Sequence, residues 1–313
     1  YRYLVSKIGI GLGWRMAKEE RVDRARQAAV RACSMGLWEG GLSVRVGINI
    51  YKTLVRSALE YGIEVIDRCV WEEAERVQTF FGRAVLGVMK RTAGEVIRGE
   101  LGWWSLAGRR DYLRLKYWGR LIGYDDSRLV KKICKYRKTD ALGRRGWCTG
   151  TRELMYEIGL EQYWDDEDEV KKISIGRWDK IVFDRIQKSE EKKWSEGMQK
   201  KSKLRRYREI KTCLRLEQYV IDDSWKNGRM MMTRLRSGTN ELEIESGRWI
   251  GKMVEDRVCR ICHSGSVEDE PHIIDICSMY NGRRNRVWRD IEYSTHGRVK
   301  RRNDGSDWKS VLA

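Results

Sequence analysis

Four residues near the end of the chain form the pattern that most restricts the local fold. Cys259 and Cys262 have two residues between them, His272 follows after nine more, and Cys277 follows after another four. Two cysteines at this spacing can direct both sulfurs at one point from a single turn. Three thiolates and one imidazole suit a tetrahedral Zn²⁺ ion with no open position, whereas Ca²⁺ and Mg²⁺ prefer oxygen ligands. We therefore predict a structural zinc site.

The alternative is that these are ordinary small buried cysteines that cluster by chance. The chain contains only three histidines, so a correctly spaced histidine favours the metal interpretation. His263 directly follows Cys262 and is a competing ligand, but its position would strain the turn that presents both cysteines. The remaining five cysteines are irregularly spaced. We expect them to be free thiols, most of them in the core, in a reducing compartment.

The composition is that of a folded chain with a strongly basic surface. The chain has 313 residues, of which 41% are hydrophobic, and its net charge is +18. This length favours two or three domains. No apolar stretch approaches membrane-spanning length and no signal peptide opens the sequence, so we expect neither membrane insertion nor secretion. The chain starts at Tyr1 rather than at a methionine, which suggests a portion of a longer chain.

The positive charge is unevenly distributed along the sequence. Residues 171–215 contain 16 Lys and Arg against 6 acids, and residues 278–313 contain 9 against 4. The intervening residues 216–277 are net acidic, with 8 bases and 12 acids. Two basic blocks of this kind favour a polyanionic partner, because each neutralised phosphate releases counterions. A solvated, salt-bridged helical surface is the alternative.

Hydrophobic spacing predicts a mostly α fold. Apolar side chains recur at helical spacing in residues 49–66, 72–89 and 108–122. Alternation in residues 1–14 instead predicts a strand or hairpin, and several glycines mark residues 136–176 as a linker. The predicted divisions are a β remnant in 1–14, a helical bundle in 15–135, a linker and basic helical region in 136–220, a zinc-stapled module in 221–290 and a basic tail in 291–313.

Five stretches, each weak by itself, occur in an order that is specific. They are Tyr1–Leu4 with Gly11–Trp14, Tyr51–Gly62, Glu75–Gly87, Arg98–Arg110, and the Cys/His pattern with Tyr280 and Arg283–Arg284 behind it. In this order they resemble the last palm strand, successive thumb helices and the C-terminal zinc knuckle of non-LTR (LINE-type) retrotransposon reverse transcriptases. The chain departs from the family at Ser57, where proline is usual.

The resemblance implies a nucleic-acid-binding region without a polymerase active site. The metal-binding aspartates of these polymerases lie in the palm, which would precede Tyr1. The implied activity is gripping RNA or an RNA–DNA template during target-primed reverse transcription. The implied partners are RNA or DNA and an upstream palm and fingers domain of the same polyprotein, in a nuclear and cytoplasmic ribonucleoprotein.

Candidate contacts with nucleic acid come from the thumb-like bundle and from the basic helical region. Arginines of the bundle are candidates for phosphate contacts: Arg56, Arg83, Arg109 and Arg110. The densest basic run adds Lys200, Lys201, Lys203, Arg205 and Arg206. Trp194 and Tyr207 are candidates for stacking on unpaired bases. Each also falls on an apolar helical face, which favours a core position.

No enzyme motif competes with this interpretation. Asp125 and Asp126 follow a helix and do not join two strands, so we interpret them as a polar turn. His296 is the one histidine outside the zinc block, and it lies in a polar tail. We therefore predict no catalytic residues. The alternative function is a zinc-stapled protein-interaction module derived from a decayed or domesticated retroelement, and salt dependence of binding would separate the two.

Overall fold

The computed structural model describes residues 2–3, 6–7, 14–38, 42–139, 146–222, 226–294, 296, 301 and 307–312. The chain is mostly helical, as the hydrophobic spacing predicted. Two short antiparallel strands, β1 (Arg2–Tyr3) and β2 (Ser6–Lys7), form the hairpin predicted near the start. The rest of the predicted β remnant before Trp14, and part of the basic tail, lie outside the described residues.

The described residues form sixteen α-helices. Those before the basic region are α1 (Arg15–Ala32), α2 (Val44–Ile50), α3 (Arg56–Glu60), α4 (Glu72–Leu86), α5 (Gly94–Leu101), α6 (Leu106–Ile122), α7 (Leu129–Thr139), α8 (Trp147–Glu157), α9 (Glu161–Asp165) and α10 (Glu167–Lys171). Those that follow are α11 (Ile175–Gln199), α12 (Arg205–Ile210), α13 (Lys226–Arg236), α14 (Glu243–Trp249), α15 (Asn281–Ser294) and α16 (Asp307–Leu312). Wider π-helical turns occupy Cys33–Leu37, Tyr51–Val55 and His272–Ile276.

The chain divides into two compact units that interleave along the sequence. The first unit comprises Tyr1–Gly87, Ile97–Glu196 and Leu214–Asp223, and the second comprises Val88–Val96, Gly197–Cys213 and Ser224–Ala313. This division differs from the predicted one, because three separate segments fold together in each unit. Contacts between distant segments set the boundaries, and local composition does not report such contacts.

A cluster of tryptophans forms part of the core of the first unit. Trp118 of α6 lies 5.4 Å from Trp178 of α11 and 6.0 Å from Trp164 of α9, measured between ring centroids. Trp178 Nε1 donates a hydrogen bond to the carbonyl of Leu115, 2.9 Å away, so its polar atom is satisfied in the core. These contacts join α6, α9 and α11 into one packed layer.

The predicted linker is instead part of this core. Within residues 136–176 the described part contains α8, α9 and α10, and Leu154, Met155 and Trp164 are buried. Lys138 Nζ also donates to the carbonyl of Trp164, 2.5 Å away. The prediction rested on closely spaced glycines, of which Gly143 lies outside the described residues. It gave too little weight to the apolar residues between 147 and 164, whose burial fixes this segment.

The described part of the second unit buries about as many polar and charged side chains as apolar ones. Its buried apolar residues include Leu204, Tyr207, Ile244 and Trp288. Its buried charged or polar residues include Lys211, Arg229, Arg236, Glu243, Glu245, Glu268, Glu270, His272 and Arg284. Polar groups removed from water must be paired, so specific bonds carry much of the organisation here. Across the described parts of both units, no helix has the length and apolarity needed to cross a bilayer.

Gly119 of α6 is required for the approach of the Trp178 ring. A Cβ atom at position 119 would lie 2.3 Å from Trp178 Cδ1, well inside van der Waals contact. We expect Gly119→Ala to lower the free energy of unfolding by about 2 kcal/mol, because a packed indole cannot yield without leaving its rotamer. Urea denaturation followed by tryptophan fluorescence measures this change.

Gly176→Ala is the matched control, because a Cβ atom there meets nothing within 4 Å. It lies in α11, where alanine raises helix propensity, so we expect a gain of at most about 1 kcal/mol. Equal stabilities of the two variants would contradict the packing of Trp178 against Gly119.

Candidate metal centre

The first pair of ligands lies on a loop closed by backbone hydrogen bonds. Val258 and Val267 form an antiparallel bridge, and Cys259 N donates to the carbonyl of Ser266, 2.9 Å away. A second bond, from Glu268 N to the carbonyl of Arg257, extends this pairing at 2.9 Å. The loop therefore returns on itself between residues 259 and 266, which places both cysteine side chains on one turn.

The second pair lies on a single wide turn. The π-helical segment His272–Ile276 begins directly after Pro271, and Asp269 Oδ1 accepts a hydrogen bond from His272 N at 3.0 Å. Cys277 N donates to the carbonyl of His272 at 2.6 Å, so the turn closes tightly. This closure brings the side chains at 272 and 277 to the same side of the backbone.

The four predicted ligands converge. One ligand atom from each of Cys259, Cys262, His272 and Cys277 lies within 4.8 Å of all the others. Cys262 Sγ and His272 Nε2 are 3.4 Å apart. Metal bonds of about 2.3 Å to sulfur and 2.0–2.1 Å to nitrogen separate tetrahedral ligands by roughly 3.5 Å. The cluster therefore has the donor atoms and the dimensions that a four-coordinate metal ion requires.

The competing histidine does not join the cluster. His263 is exposed, and its φ of 53° places it in the left-handed region, which β-carbon-bearing residues rarely adopt. This geometry agrees with the strain expected for the residue directly after Cys262. His272 is buried, and its Nδ1 atom has no hydrogen-bond partner among the described residues. The other ring nitrogen, Nε2, is the atom that faces Cys262 Sγ.

The sulfur environments differ in a way that helps metal binding. Hydrogen bonds with the Ser264 hydroxyl and the Ser264 backbone N–H lower the pKa of the Cys262 thiol to about 6. Burial raises the pKa of the Cys259 thiol above its ordinary value. The thiolate is the form of cysteine that binds a metal. Cys262 can therefore bind a metal ion near neutral pH, whereas Cys259 loses its proton when the metal ion binds.

Arg284 connects the metal loop to helix α15. Its guanidinium donates to the carbonyls of Cys277 at 2.8 Å and Ile274 at 2.5 Å, and to Asn281 Oδ1 at 2.5 Å. The carbonyls that end the turn at residue 277 are therefore satisfied by a side chain of the following helix. This makes the position of α15 dependent on the geometry of the ligand turn.

The basic run at residues 200–206 belongs to the internal support of this centre. Arg206 pairs with Asp269 at 3.0 Å, and Arg205 lies 3.5 Å from Glu270 and 3.6 Å from Glu245. Both glutamates are fully buried, so the arginines compensate charges that have lost their water. Asp269 is the residue that also accepts the bond from His272 N, so the pairing reaches the ligand turn directly.

The prediction of a phosphate-binding surface in this run therefore needs correction. Lys201 pairs with Glu95, and Lys203 Nζ donates to the carbonyl of Arg91 at 2.7 Å. Lys200 is exposed, and no ion pair to it is found among the described residues. Four of the five predicted contacts thus bind groups within the second unit, because carboxylates and a backbone carbonyl distant in sequence fold against them.

Trp194 and Tyr207 do not have the base-stacking role for which they were candidates. Trp194 is 1% exposed and Tyr207 is 0% exposed. A ring enclosed by its own protein cannot present a face to a nucleobase. The competing interpretation, in which each anchors a core through the apolar face of its helix, is confirmed.

The four arginines of the first unit that were predicted to contact phosphate fall into two groups. Arg110 and Arg83 are withdrawn from solvent to different degrees, whereas Arg109 and Arg56 approach the same carboxylate. Arg110 is 6% exposed and donates to the carbonyls of Asp67 and Cys69, so its predicted phosphate contact is wrong. Arg83 is half-buried, and burial lowers its pKa. Arg109 binds both carboxylate oxygens of Glu60, at 2.6 and 3.1 Å, and Arg56 lies 3.6 Å from the same carboxylate.

The paired aspartates form the polar turn that was predicted. Asp125 Oδ1 accepts from Ser127 N at 2.8 Å, and Asp126 pairs with Lys135 at 2.8 Å. Both carboxylates face solvent, where hydrogen bonding to Ser127 and Lys135 respectively lowers their pKa values.

Sequence reasoning missed the exposed face of α15. Arg284 and Trp288 are buried, whereas Arg283, Arg286 and Arg289 are exposed. The four-residue spacing of the buried pair was a usable signal, because it assigns the neighbouring arginines to the opposite face. The remaining basic tail beyond this helix lies largely outside the described residues.

Comparisons with known proteins give no relative for this chain. No protein-family model matches it, and no curated protein or solved structure matches it.

Loss of one ligand should release the metal and loosen this region alone. We expect Cys262→Ser to reduce bound metal from about one ion per chain to near zero, because a hydroxyl does not replace the thiolate in a four-coordinate site. Cys33→Ser, which removes a thiol from the first unit, is the control and should retain the metal. Elemental analysis of the reduced, purified proteins measures the stoichiometry, and equal metal contents would contradict the assignment.

Removing one arginine of the support should weaken metal retention without touching a ligand. Arg206→Gln leaves Asp269 and the buried Glu270 undercompensated, which we expect to cost on the order of 2 kcal/mol after allowing for partial solvent screening of the arginine. The rate of metal transfer to a chromogenic chelator should rise accordingly. Lys200→Gln is the control and should leave that rate unchanged; a similar rise in both variants would argue against the support.

Proposed function

We propose that the chain is the nucleic-acid-binding C-terminal region of a retroelement reverse transcriptase, which grips RNA or an RNA–DNA template during target-primed reverse transcription. The observation that carries this proposal is the outward face of α15 behind the metal cluster. Arg283, Arg286 and Arg289 are exposed there, and none forms an ion pair within the described residues. Asp290, on the same helix, pairs with none of them. The order of the family-like stretches along the chain supports the same proposal.

Zinc is the metal that we assign to the cluster. Three cysteines and one histidine are the soft and borderline ligands that select Zn²⁺, and four protein ligands leave no position for a reactive water. The role of the ion is therefore structural. It fixes the ligand turn, and Arg284 transmits that geometry to the start of α15.

The arginine face suits the backbone of a nucleic acid. Guanidinium groups bind phosphate oxygens in a forked geometry, and several acting together release several counterions. Tyr293, at the end of the same helix, is 87% exposed and offers a ring for stacking on an unpaired base. The proposed region contributes binding only. Catalysis would come from an upstream palm and fingers domain, within a ribonucleoprotein of the nucleus and cytoplasm.

A protein-interaction module is the second candidate, and one observation favours it. Four exposed apolar side chains lie at the end of α14 and in the five residues that follow it: Trp249, Ile250, Met253 and Val254. Adjacent exposed apolar side chains of this kind are typical of protein docking surfaces. Binding through them would depend weakly on salt, whereas binding through the arginine face would depend on it strongly.

Replacing the three arginines separates these candidates. We expect the Arg283→Gln/Arg286→Gln/Arg289→Gln variant to bind single-stranded RNA about tenfold or more weakly at low salt. Its slope of log affinity against log salt should be shallower by about two units. Affinities at several salt concentrations, measured by fluorescence anisotropy, test both values, with metal content as the check on folding.

The matched control is Lys171→Gln/Lys172→Gln, which removes two exposed lysines of the first unit that pair with Asp168 and Glu169. It should leave the slope nearly unchanged. If the arginine variant keeps the slope of the native chain, α15 does not bind phosphates and the proposed function fails.

A further inference from the structure

A cavity of about 310 Å³ lies in the first unit, and none of the residues that line it is close in sequence to the metal ligands. Its lining includes the cationic side chains of Lys52, Arg56 and Arg109 and the aromatic rings of Trp103, Trp104 and Phe183. None of the residues that line it is acidic. Its volume is at the lower end of the range found for small-molecule sites, and convergent polar groups beside aromatic walls are typical of such sites.

The cationic lining carries more positive charge than its own protein neutralises. Arg109 holds both oxygens of Glu60, which leaves that carboxylate already engaged. Arg56 Nε faces the same carboxylate at 3.6 Å, beyond hydrogen-bonding distance, so this second pairing is loose. Lys52 is exposed and forms no ion pair within the described chain. Two arginines thus share one carboxylate and Lys52 adds a third positive charge, which suits an anion of one to two charges.

The aromatic lining is fixed in place. Trp103 stacks on Tyr51 with ring centroids 3.7 Å apart, and Trp104 Nε1 donates to Gln187 Oε1 at 2.5 Å. Phe183 lies 5.0 Å from the Trp104 ring and remains 45% exposed, so it offers an open face. Held rings of this kind lose little conformational entropy when a flat ligand packs on them.

Backbone features of the lining support a built site. Gly102 adopts φ +64°, and a Cβ atom there would lie 2.5 Å from Leu216 N, so only glycine allows this approach. Lys52 lies within the π-helical turn Tyr51–Val55, which ends directly before Arg56. Wide turns of this type are rare, cost stability and often occur at functional positions.

We propose that this cavity binds one nucleoside phosphate unit. The base packs on the open face of Phe183 beside Trp104, and the phosphate binds Lys52 and the guanidinium group of Arg56. A nucleotide combines one flat π system with one anion, which matches the aromatic and cationic linings of the cavity. The unit is either a free nucleotide or one residue of a single strand; in the second case the inference rests on the nucleic-acid binding proposed above and adds a second contact to it.

Titration of the full chain with two probes tests the proposal. The probes are 5′-AMP and a short single-stranded oligoadenylate, with binding followed by tryptophan fluorescence. Lys52→Gln/Arg56→Gln should weaken binding about tenfold, with a shallower salt dependence. Phe183→Ala should also weaken it about tenfold, within the range found when a stacking ring is removed from a base. Arg76→Gln, which alters an exposed arginine paired with Glu72, is the control and should have no effect.

The two probes distinguish the sources of the ligand. Binding of 5′-AMP that both cavity variants weaken indicates a free nucleotide site. Binding of the oligonucleotide alone, weakened by both variants, indicates a single-strand site. If neither probe binds, or if the cavity variants bind as tightly as the Arg76→Gln control, the proposal is overturned.

The same titration separates this inference from the function proposed for α15. The triple arginine variant of α15 should retain binding of 5′-AMP if the cavity site exists. Loss of RNA binding in that variant, with unchanged binding in the cavity variants, would leave the α15 function standing and reject the cavity. Weakened binding in the cavity variants, with unchanged RNA binding in the α15 variant, would support the cavity site and reject the function proposed for α15.

Discussion

Glu245 and Glu270 have lost essentially all contact with water, and the second unit is arranged around compensating them. Burial raises the pKa of Glu245, and the nearby guanidinium of Arg248 opposes that effect. Arg205 reaches both buried glutamates, at 3.5–3.6 Å. Polar and charged side chains make up about half of the buried residues in the described part of this unit, so ion pairs and the ligand cluster supplement its hydrophobic core. Breaking the ion pairs or the ligand cluster leaves buried charges without partners, which costs more free energy than losing a surface ion pair.

This constraint links the support to the exposed arginine face of α15. Arg206 holds Asp269, Asp269 accepts the backbone hydrogen of His272, and Arg284 joins the end of the same turn to α15. A metal ion at the cluster would therefore control the presentation of an arginine face without touching nucleic acid. Such an arrangement explains why a structural ion would be useful in a binding region: it supplements apolar burial with strong local bonds.

The parts of this account that were predictable are those encoded locally. The four ligands lie within one short segment, and helical periodicity is a property of neighbouring residues, so both could be read from the sequence. The pairing of Arg206 with Asp269 joins residues 63 positions apart, and no local pattern reports it. The same limitation made residues 200–206 resemble a free basic surface. The linker prediction failed because it gave more weight to the spacing of the glycines than to the apolar residues, such as Trp164, that pack into the core.

The most direct test of this account is hydrogen–deuterium exchange of the metal-loaded chain before and after chelation. The account predicts that amides of residues 258–294, including those of α15, lose protection when the metal is removed, while amides of α6 in the first unit exchange at their original rates. Unchanged exchange in α15 would contradict it, since the helix would then hold its position without the metal cluster.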